Sequence, residues 1–550
     1  MIGRWSEGWR PYLLLVLLSL ALYLPGIAAL PVTDRDEARF AQASRQMLES
    51  GDFLRIRFQD EARNKKPAGV YWLQAASVAL LSDSESAAIW PYRLPSLLGA
   101  MTAVLLTFAL GRHLVGAAPA QLGAALLAAS FGLVSEAHLA KTDALLLATV
   151  VASQTALGDI NPAERRGGVS ASSSMPALFW TAQALGILVK GPITPFLSLL
   201  TAAALSLADR EARWLAALRA QWGLPLMLLI AAPWFIAIAV ATDGAFFGES
   251  VSHDFFGKLL GAQEAHGAPP GSYLLVSFAW FWPGSLLLAP TLLWAWRGRH
   301  MPAERFLIAW IVPFWIVLEL VPTKLPHYVL PVFPALALLA GSAVLSAGGA
   351  MLGRWRVVHA VIVAVWLLVT LGLAAALPIV TLTFGGLGTG AEFVAAVILV
   401  VFGGRLAWTA RRFAAPGLVA RLAVLALLVV APTFALVAPD LDRLWLSRGA
   451  AALVARHPPP EPTIAVVGYA EPSLVFLLGT KTRLVSAETA ALYLTTARAG
   501  AALVSDRDDA AFRQALAARG WEARRIDSVA GIDSANGKRL VLSLYTGAPG

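Results

Sequence analysis

Six short polar segments interrupt an otherwise apolar chain, and each carries groups able to handle a phosphate or a proton. The first is Thr33-Asp34-Arg35-Asp36-Glu37-Ala38-Arg39-Phe40, three carboxylates and two arginines within about one helical turn of an apolar run. Asp34 with Glu37 three residues on is close to a helix capping box. The adjacent pair Asp36 and Glu37 exceeds what a cap needs and suits a general base or an ion site beside a membrane. The second is Asn64-Lys65-Lys66-Pro67, followed by Tyr71-Trp72. It fits lysines snorkelling to a headgroup boundary or a clamp on a lipid phosphate. The third, Glu136 to Asp143, ends in Lys141-Thr142-Asp143, where Asp143 either caps the next apolar run or offers a second acidic group. The fourth, Lys190-Gly191-Pro192, breaks an apolar stretch, and a lysine there is costly unless it faces a cavity or a partner. The fifth is Lys324-Leu325-Pro326-His327-Tyr328. The sixth is the loop 242–271 with His253, Asp254, Lys258 and His266, whose spacing matches no strong zinc pattern.

These segments need a scaffold, and composition names its class. The chain has 550 residues, 58% hydrophobic and 14% charged, against about 45–50% apolar and 25% charged in globular domains. The apolar residues fall in runs long enough for membrane-spanning helices, about 20 residues each. A lipid-exposed open sheet is excluded because hydrocarbon leaves its edge groups unsatisfied. There are no cysteines, which excludes disulfides, thiolate catalysis and cysteine zinc sites. The net charge of +9 comes largely from arginines in short loops, the pattern of positive-inside topology rather than of nucleic-acid binding.

Thirteen spans are expected, near 11–30, 92–111, 117–135, 142–158, 174–189, 192–208, 223–241, 272–294, 303–321, 327–346, 356–380, 391–409 and 418–438. Residues 11–30 follow Arg4 and Arg10 as a signal peptide would, but lead into a charged segment without a small-residue exit, so the first helix is read as retained. The arginine loops (Arg112, Arg165 and Arg166, Arg210 to Arg219, Arg297 and Arg299, Arg354 and Arg356, Arg411 and Arg412) join the N-terminus on the cytoplasmic side. All six polar segments then lie on the opposite side. Counting 67–82 as a span would invert every later loop, so that segment is expected to lie at the interface, with Tyr71 and Trp72 at headgroup level. Residues 36–50 read as another interfacial helix, with Phe40, Ala43, Met47 and Leu48 on one face. From about 440 the pattern changes to strands at 463–468, 482–485, 501–505 and 539–546, with helices at 486–498 and 508–519. Residues 161–175 read as a polar, flexible loop, and no internal repeat is evident.

Cations and carboxylates meeting at one membrane face fit transfer from a lipid phosphate: the cations hold the leaving phosphate, and a carboxylate takes the acceptor proton where one must leave. The motifs resemble the protein O-mannosyltransferase superfamily of GT-C glycosyltransferases, especially the bacterial branch containing the aminoarabinose transferases that modify lipid A. The stretches that carry this are Asp36-Glu37-Ala38-Arg39-Phe40-Ala41, Lys66-Pro67 with Tyr71-Trp72-Leu73-Gln74, Ala140-Lys141-Thr142-Asp143, Lys190-Gly191-Pro192, Pro233-Trp234, Lys324-Leu325-Pro326-His327-Tyr328 with Pro331, and Gly468-Tyr469-Ala470-Glu471-Pro472-Ser473-Leu474. The resemblance runs through the whole chain. It implies catalytic carboxylates at Asp36 and Glu37, a second acidic position at Asp143, phosphate contact by Lys66 and a headgroup neighbour in Tyr328. Arg39, Tyr71, Lys141, Lys190, His266 and Lys324 are further candidates for substrate binding. Two departures stand out: Lys65-Lys66-Pro67-Ala68 where the family often has Glu-Lys-Pro-Pro, and Lys141-Thr142-Asp143 where it often has Arg-Thr-Asp.

The expected molecule is a polytopic α-helical GT-C membrane protein of about 13 transmembrane helices, spanning 1–439. Interfacial helices lie in the loop 31–91, and residues 440–550 form a small extracytoplasmic α/β domain. It is expected in a bacterial inner membrane with a periplasmic catalytic face. Its expected activity is inverting transfer from a polyprenyl-phosphate sugar donor to lipid A or another lipopolysaccharide component, with no nucleotide sugar and no nucleic-acid partner. A protein hydroxyl acceptor and a lipid-linked glycan flippase are the alternatives. No cofactor is specified, and a divalent cation is left open.

Overall fold

The computed structural model describes residues 7–549 except 34, 84–85, 162–173, 251–266, 347–354, 386–387, 389, 411–416, 462, 498–499 and 535. Most of the expected flexible loop 161–175, the side chains of His253, Asp254, Lys258 and His266, and the loop residues Arg165, Arg166, Arg354, Arg411 and Arg412 therefore lie outside the described residues, as does Asp34.

Helices occupy every expected span. Among the described residues seven helices can cross a bilayer by length and composition, or nine if two bent pairs each count as one span. The protein is thus a multi-pass helical membrane protein. The helices used below are α1 (Arg10–Tyr23), α2 (Arg35–Ser50), α3 (Gly69–Leu81), α4 (Trp90–Leu114), α5 (Ala117–Ala129), α6 (Phe131–Ala137), α7 (Asp143–Ile160), α8 (Met175–Lys190), α9 (Ile193–Asp209), α10 (Ala220–Ala241), α11 (Ser272–Trp280), α12 (Leu288–Gly298), α13 (Pro302–Leu320), α14 (Phe333–Ser346) and α15 (Arg356–Phe384). The first helix stops seven residues short of expectation, at Tyr23. The span at 117–135 is bent by 59° between α5 and α6, and that at 272–294 by 119° after α11. Helix α13, 19 residues long, is the more polar for carrying Glu304, Arg305 and Glu319.

Helices differ in what they face. In α7 and in 326–345, 78% and 89% of the apolar window is buried within the protein; in α10 and α15 the shares are 17% and 22%. A helix that is apolar all round and mostly uncovered belongs against lipid, so α10 and α15 are outer and α7 and α14 inner. The inner helices are the ones whose ends carry Asp143, His327 and Tyr328.

Helix α2 forms where expected. Asp36 and Glu37 stand in its first turn, favourable beside the positive helix end. Phe40, Ala43 and Met47 are buried, and Gly51, at φ 70°, ends it by donating its N–H to the Met47 carbonyl at 2.9 Å. The chain then turns through a hairpin, β1 (Arg57–Phe58) and β2 (Glu61–Ala62), unforeseen in the sequence reading. Helix α3 has 13 residues, about 20 Å, too short to cross a bilayer core of about 30 Å. Its Tyr71 is fully buried, packed on Phe40 with ring centroids 5.1 Å apart. The expectation of Tyr71 at headgroup level is therefore corrected; Trp72, half-exposed, donates to the Phe53 carbonyl at 2.8 Å. Two glycines permit the crossings that bring the polar segments together. A Cβ on Gly69 would meet the Leu188 carbonyl oxygen at 2.7 Å, and one on Gly99 the Leu145 nitrogen at 2.9 Å. The first lays α3 against the end of α8 near Lys190; the second lays α4 against the start of α7.

Beyond residue 440 come α16 (Leu446–Arg456), β3 (Ile464–Val467), α17 (Pro472–Leu478), β4 (Arg483–Leu484), α18 (Ala487–Ala497), β5 (Ala501–Ser505), α19 (Asp509–Ala517), β6 (Trp521–Asp533) and β7 (Lys538–Pro549). The sheet order is β4-β3-β5-β7-β6, parallel over the first three strands and antiparallel over the last three. Apolar clusters fill both faces. The sequence reading found neither α16 and α17 nor β6. The last is a polar edge strand paired only with β7, so it lacks the apolar alternation that marks a strand.

Candidate active site

The two adjacent carboxylates of α2 have opposite fates. Glu37 is wholly buried. Its Oε1 accepts from Arg93 Nε at 2.8 Å and from the Ala140 N–H at 2.9 Å; its Oε2 accepts from Arg93 Nη2 at 2.9 Å and the Thr33 N–H at 3.0 Å. Arg93, also wholly buried, donates in addition to the carbonyls of Ile27, Leu30 and Pro31. Burial alone would raise the Glu37 carboxyl, but Arg93 and these hydrogen bonds outweigh it and hold it below the usual range. With both oxygens accepting from these donors, Glu37 ties the start of α2 to α4 and to the turn at Ala140. Ser44, Gln74 and the Ala140 carbonyl extend the brace, with hydrogen bonds of 2.7 and 3.0 Å.

Asp36, one position earlier, projects away from that brace and is 57% exposed. Arg39 Nη1 stands 3.4 Å and Arg63 Nη2 3.7 Å from its Oδ1. Partial desolvation pushes its carboxyl up, but the positive charges of Arg63, Arg39 and Lys141 prevail and hold it below the ordinary range. Arg63 was not singled out in the sequence. It is buried, donates to the Tyr71 hydroxyl at 3.4 Å and lies over the Phe40 ring at 5.4 Å. Tyr71 therefore meets Arg63 from inside the protein.

A second cluster adjoins the first. Lys190, at the end of α8, donates to Asp143 Oδ1 at 2.5 Å and lies 5.4 Å from the Tyr328 ring centroid. Gly191 at φ 75° then breaks the helix, as the Lys-Gly-Pro motif implies. His327 stands 3.9 Å from Asp143 and 4.0 Å from Glu136, and Lys141 Nζ is 3.8 Å from Glu136. Lys141 and His327 are both within electrostatic reach of Asp36, which joins the two clusters. The structure thus gathers Asp36, Arg39, Lys141, Asp143, Lys190 and Tyr328 from five separate elements. Lys66 is half-buried on the segment between the hairpin and α3.

Lys324 does not join them. Its ammonium donates to the carbonyls of Leu318, Glu319 and Val321 at 3.2, 2.9 and 2.7 Å and lies over the Tyr273 ring. Those are the orphan carbonyls at the end of α13. In this arrangement Lys324 caps the end of α13. Among the described residues no three His, Asp or Glu side chains stand together as a metal site.

Residues 11–244, which hold nearly all of this cluster, match the family model of dolichyl-phosphate-mannose-protein mannosyltransferases. The resemblance read from the motifs holds. The chain is 31% identical over 314 residues to the undecaprenyl phosphate-alpha-4-amino-4-deoxy-L-arabinose arabinosyl transferase of Pseudomonas paraeruginosa, covering 56% of this chain and 55% of that protein. It is 29% identical over 342 residues to arabinosyl transferase 1 of Pseudomonas fluorescens, covering 60% and 56%. The chain spans about half the length of the curated relatives it matches. Its fold is that of ArnT from Cupriavidus metallidurans, whose crystal structure bound to undecaprenyl phosphate superposes with a TM-score of 0.71 at 20% identity, over 96% of this chain and 97% of that one. The apo form of the same protein gives 0.72.

Proposed function

We propose that the chain is a GT-C glycosyltransferase that moves a sugar from a polyprenyl-phosphate carrier to a phosphate group of an acceptor such as lipid A, at the outer face of a bacterial inner membrane. The relatives named for transfer from undecaprenyl phosphate-linked aminoarabinose support the donor class. The observation that carries the acceptor class is Asp36. Its carboxylate faces Arg39 and Arg63 at 3.4 and 3.7 Å, and their charges with that of Lys141 favour the ionised form, which weakens it as a general base. A hydroxyl acceptor needs such a base. A phosphate monoester does not, because it is already ionised near neutral pH.

In this reading an acceptor phosphate oxygen attacks the anomeric carbon. The bond to the carrier oxygen breaks, and its electron pair leaves on the polyprenyl phosphate. Arg63, Lys66, Lys141 and Lys190 stabilise that leaving group, and Asp36 steadies the positive charge growing at the anomeric carbon. Thirteen spans, a catalytic unit over 1–439 and an extracytoplasmic α/β unit over 440–550 belong to the same proposal.

Mass spectrometry of lipid A and of glycoproteins from cells with and without the protein tests it. A sugar–phosphate diester on lipid A is expected. A sugar on a serine or threonine would overturn the acceptor class, and lipid-linked sugar crossing the bilayer without transfer would overturn the enzyme.

A further inference from the structure

The hairpin that delivers Arg63 turns at a strained residue. Arg57 pairs with Ala62 and Phe58 with Glu61, so the turn is Gln59-Asp60, and Gln59 adopts φ 54°. Left-handed backbone is uncommon outside glycine, asparagine and aspartate, and it persists only where surroundings hold it.

Two parts of the molecule hold it. From the catalytic helix α2, Gln46 binds the Gln59 backbone on both sides: the Gln59 N–H donates to Gln46 Oε1 at 2.8 Å, and Gln46 Nε2 donates to the Gln59 carbonyl at 2.9 Å. From the C-terminal α/β unit, the Gln59 side-chain amide is taken by two carbonyls: its Nε2 donates to Thr480 O at 3.3 Å and to Thr482 O. Thr480 also reaches α2 directly, accepting from Gln42 at 2.7 Å and donating to Glu49 at 2.7 Å. Downstream, the hairpin passes its position on, because the Arg63 N–H bonds the Ile56 carbonyl at 2.8 Å. Arg63 stands four positions beyond Gln59 and Lys66 seven.

We propose that Gln59 is a positioning residue through which the C-terminal unit sets the loop carrying Arg63 and Lys66 against the donor phosphate. The proposal rests on the transferase reading above for its substrate. Its geometry assigns the C-terminal unit a part in the reaction, as a strut on the catalytic loop. A left-handed glutamine is chosen over glycine there because the side chain, not the turn, does the linking.

Three variants of the full-length protein test this. Gln59→Asn tolerates left-handed backbone but its amide is one methylene short of Thr480 and Thr482. Gln59→Gly removes both strain and link. Gln59→Lys keeps a donor long enough for the two carbonyls. The expected result is a rise of about fivefold in donor KM for the Asn and Gly variants, the loss of roughly one to two neutral hydrogen bonds. Binding of sugar-free polyprenyl phosphate should weaken by the same factor and backbone hydrogen exchange over 57–66 should quicken, with the thermal midpoint unchanged and Gln59→Lys close to wild type. Wild-type KM, lipid-phosphate affinity and exchange in Asn and Gly would overturn the proposal. So would a variant that loses stability while its surviving fraction keeps these values, or a Lys variant as impaired as Asn. A wild type inactive with every lipid-linked sugar would count against the transferase reading instead, and the exchange comparison would still decide the role of Gln59.

Discussion

Asp36 and Glu37 are neighbours of like charge, and replacing each by its amide should give opposite phenotypes. In Glu37→Gln, whichever oxygen becomes the amide nitrogen turns a donor toward donors: Arg93 Nε and the Ala140 N–H at one position, Arg93 Nη2 and the Thr33 N–H at the other. Arg93 is left with its charge uncompensated at zero exposure. Removing one partner of a buried ion pair costs about 3–5 kcal/mol, a large part of a typical stability of about 5–15 kcal/mol. Asp36→Asn removes a 57% exposed carboxylate whose cations stand at 3.4 and 3.7 Å, and such contacts contribute about 0–1 kcal/mol. Transfer should fall about 10²-fold or more in Asp36→Asn through lost stabilisation of developing charge. The assay is thermal unfolding in detergent beside sugar transfer. Asp36→Asn should melt with wild type and be nearly inactive; Glu37→Gln should melt well below it. The pH dependence adds a sign. The Glu37 carboxyl is held below its unfolded value, so its stabilisation is present above about pH 4.3 and lost as pH falls through the folded value. Glu37→Gln should lack that acid loss. An inactive Glu37→Gln with wild-type melting would refute the division of roles.

Three further outcomes follow from the same geometry. Lys324→Gln, which strips the cap from α13, should lower the thermal midpoint while leaving donor KM within about twofold, since cap losses cost about 0.5–2 kcal/mol; a large KM change with intact stability would return Lys324 to the substrate. Lys66→Ala should weaken donor use about tenfold through a lost charged hydrogen bond, and exposed Lys65→Ala should do less; equal effects would mean only diffuse charge. Because the Asp36 carboxyl lies below its ordinary value, any fall in rate between about pH 5 and 7 should belong to the acceptor phosphate, whose second ionisation lies near 6, and should persist in residual Asp36→Asn activity; its disappearance would make Asp36 the base.

The sequence revealed where polar groups meet a membrane face, because apolar runs and arginine loops carry that information locally. It did not reveal what each group does there. Asp36 and Glu37 are chemically alike, and only the helical rotation between them sends one to Arg93 and the other outward. Arg93 itself was invisible, absorbed in the start of an apolar span, as was Arg63 beside a more conspicuous lysine pair. Lys190 and Lys324 both looked like lysines at membrane breaks. One meets Asp143 at the start of the neighbouring helix α7; the other folds back on carbonyls three to six residues away. Strand β6 escaped because an edge strand need not alternate apolar and polar residues.

The arrangement has a consistent electrostatic logic. Arg39, Arg63, Lys141 and Lys190 face Asp36, Asp143 and Glu136 over distances of 2.5–3.8 Å. Cations so close to carboxylates are costly to desolvate, and they are retained here beside a network, Ser44–Gln74–Ala140–Glu37–Arg93, that holds the backbone beneath them. The carboxylates keep the cations apart and oriented before any phosphate arrives. Only Asp36 among the three is substantially exposed, so the proposed mechanism sets it toward the sugar ring and leaves the buried two to hold Lys141 and Lys190 for the leaving phosphate. In the proposed reaction, cations already oriented by carboxylates and an exposed Asp36 whose ionised form they favour suit the stabilisation of separated charge. That is the demand made when one phosphate leaves an anomeric carbon and another replaces it.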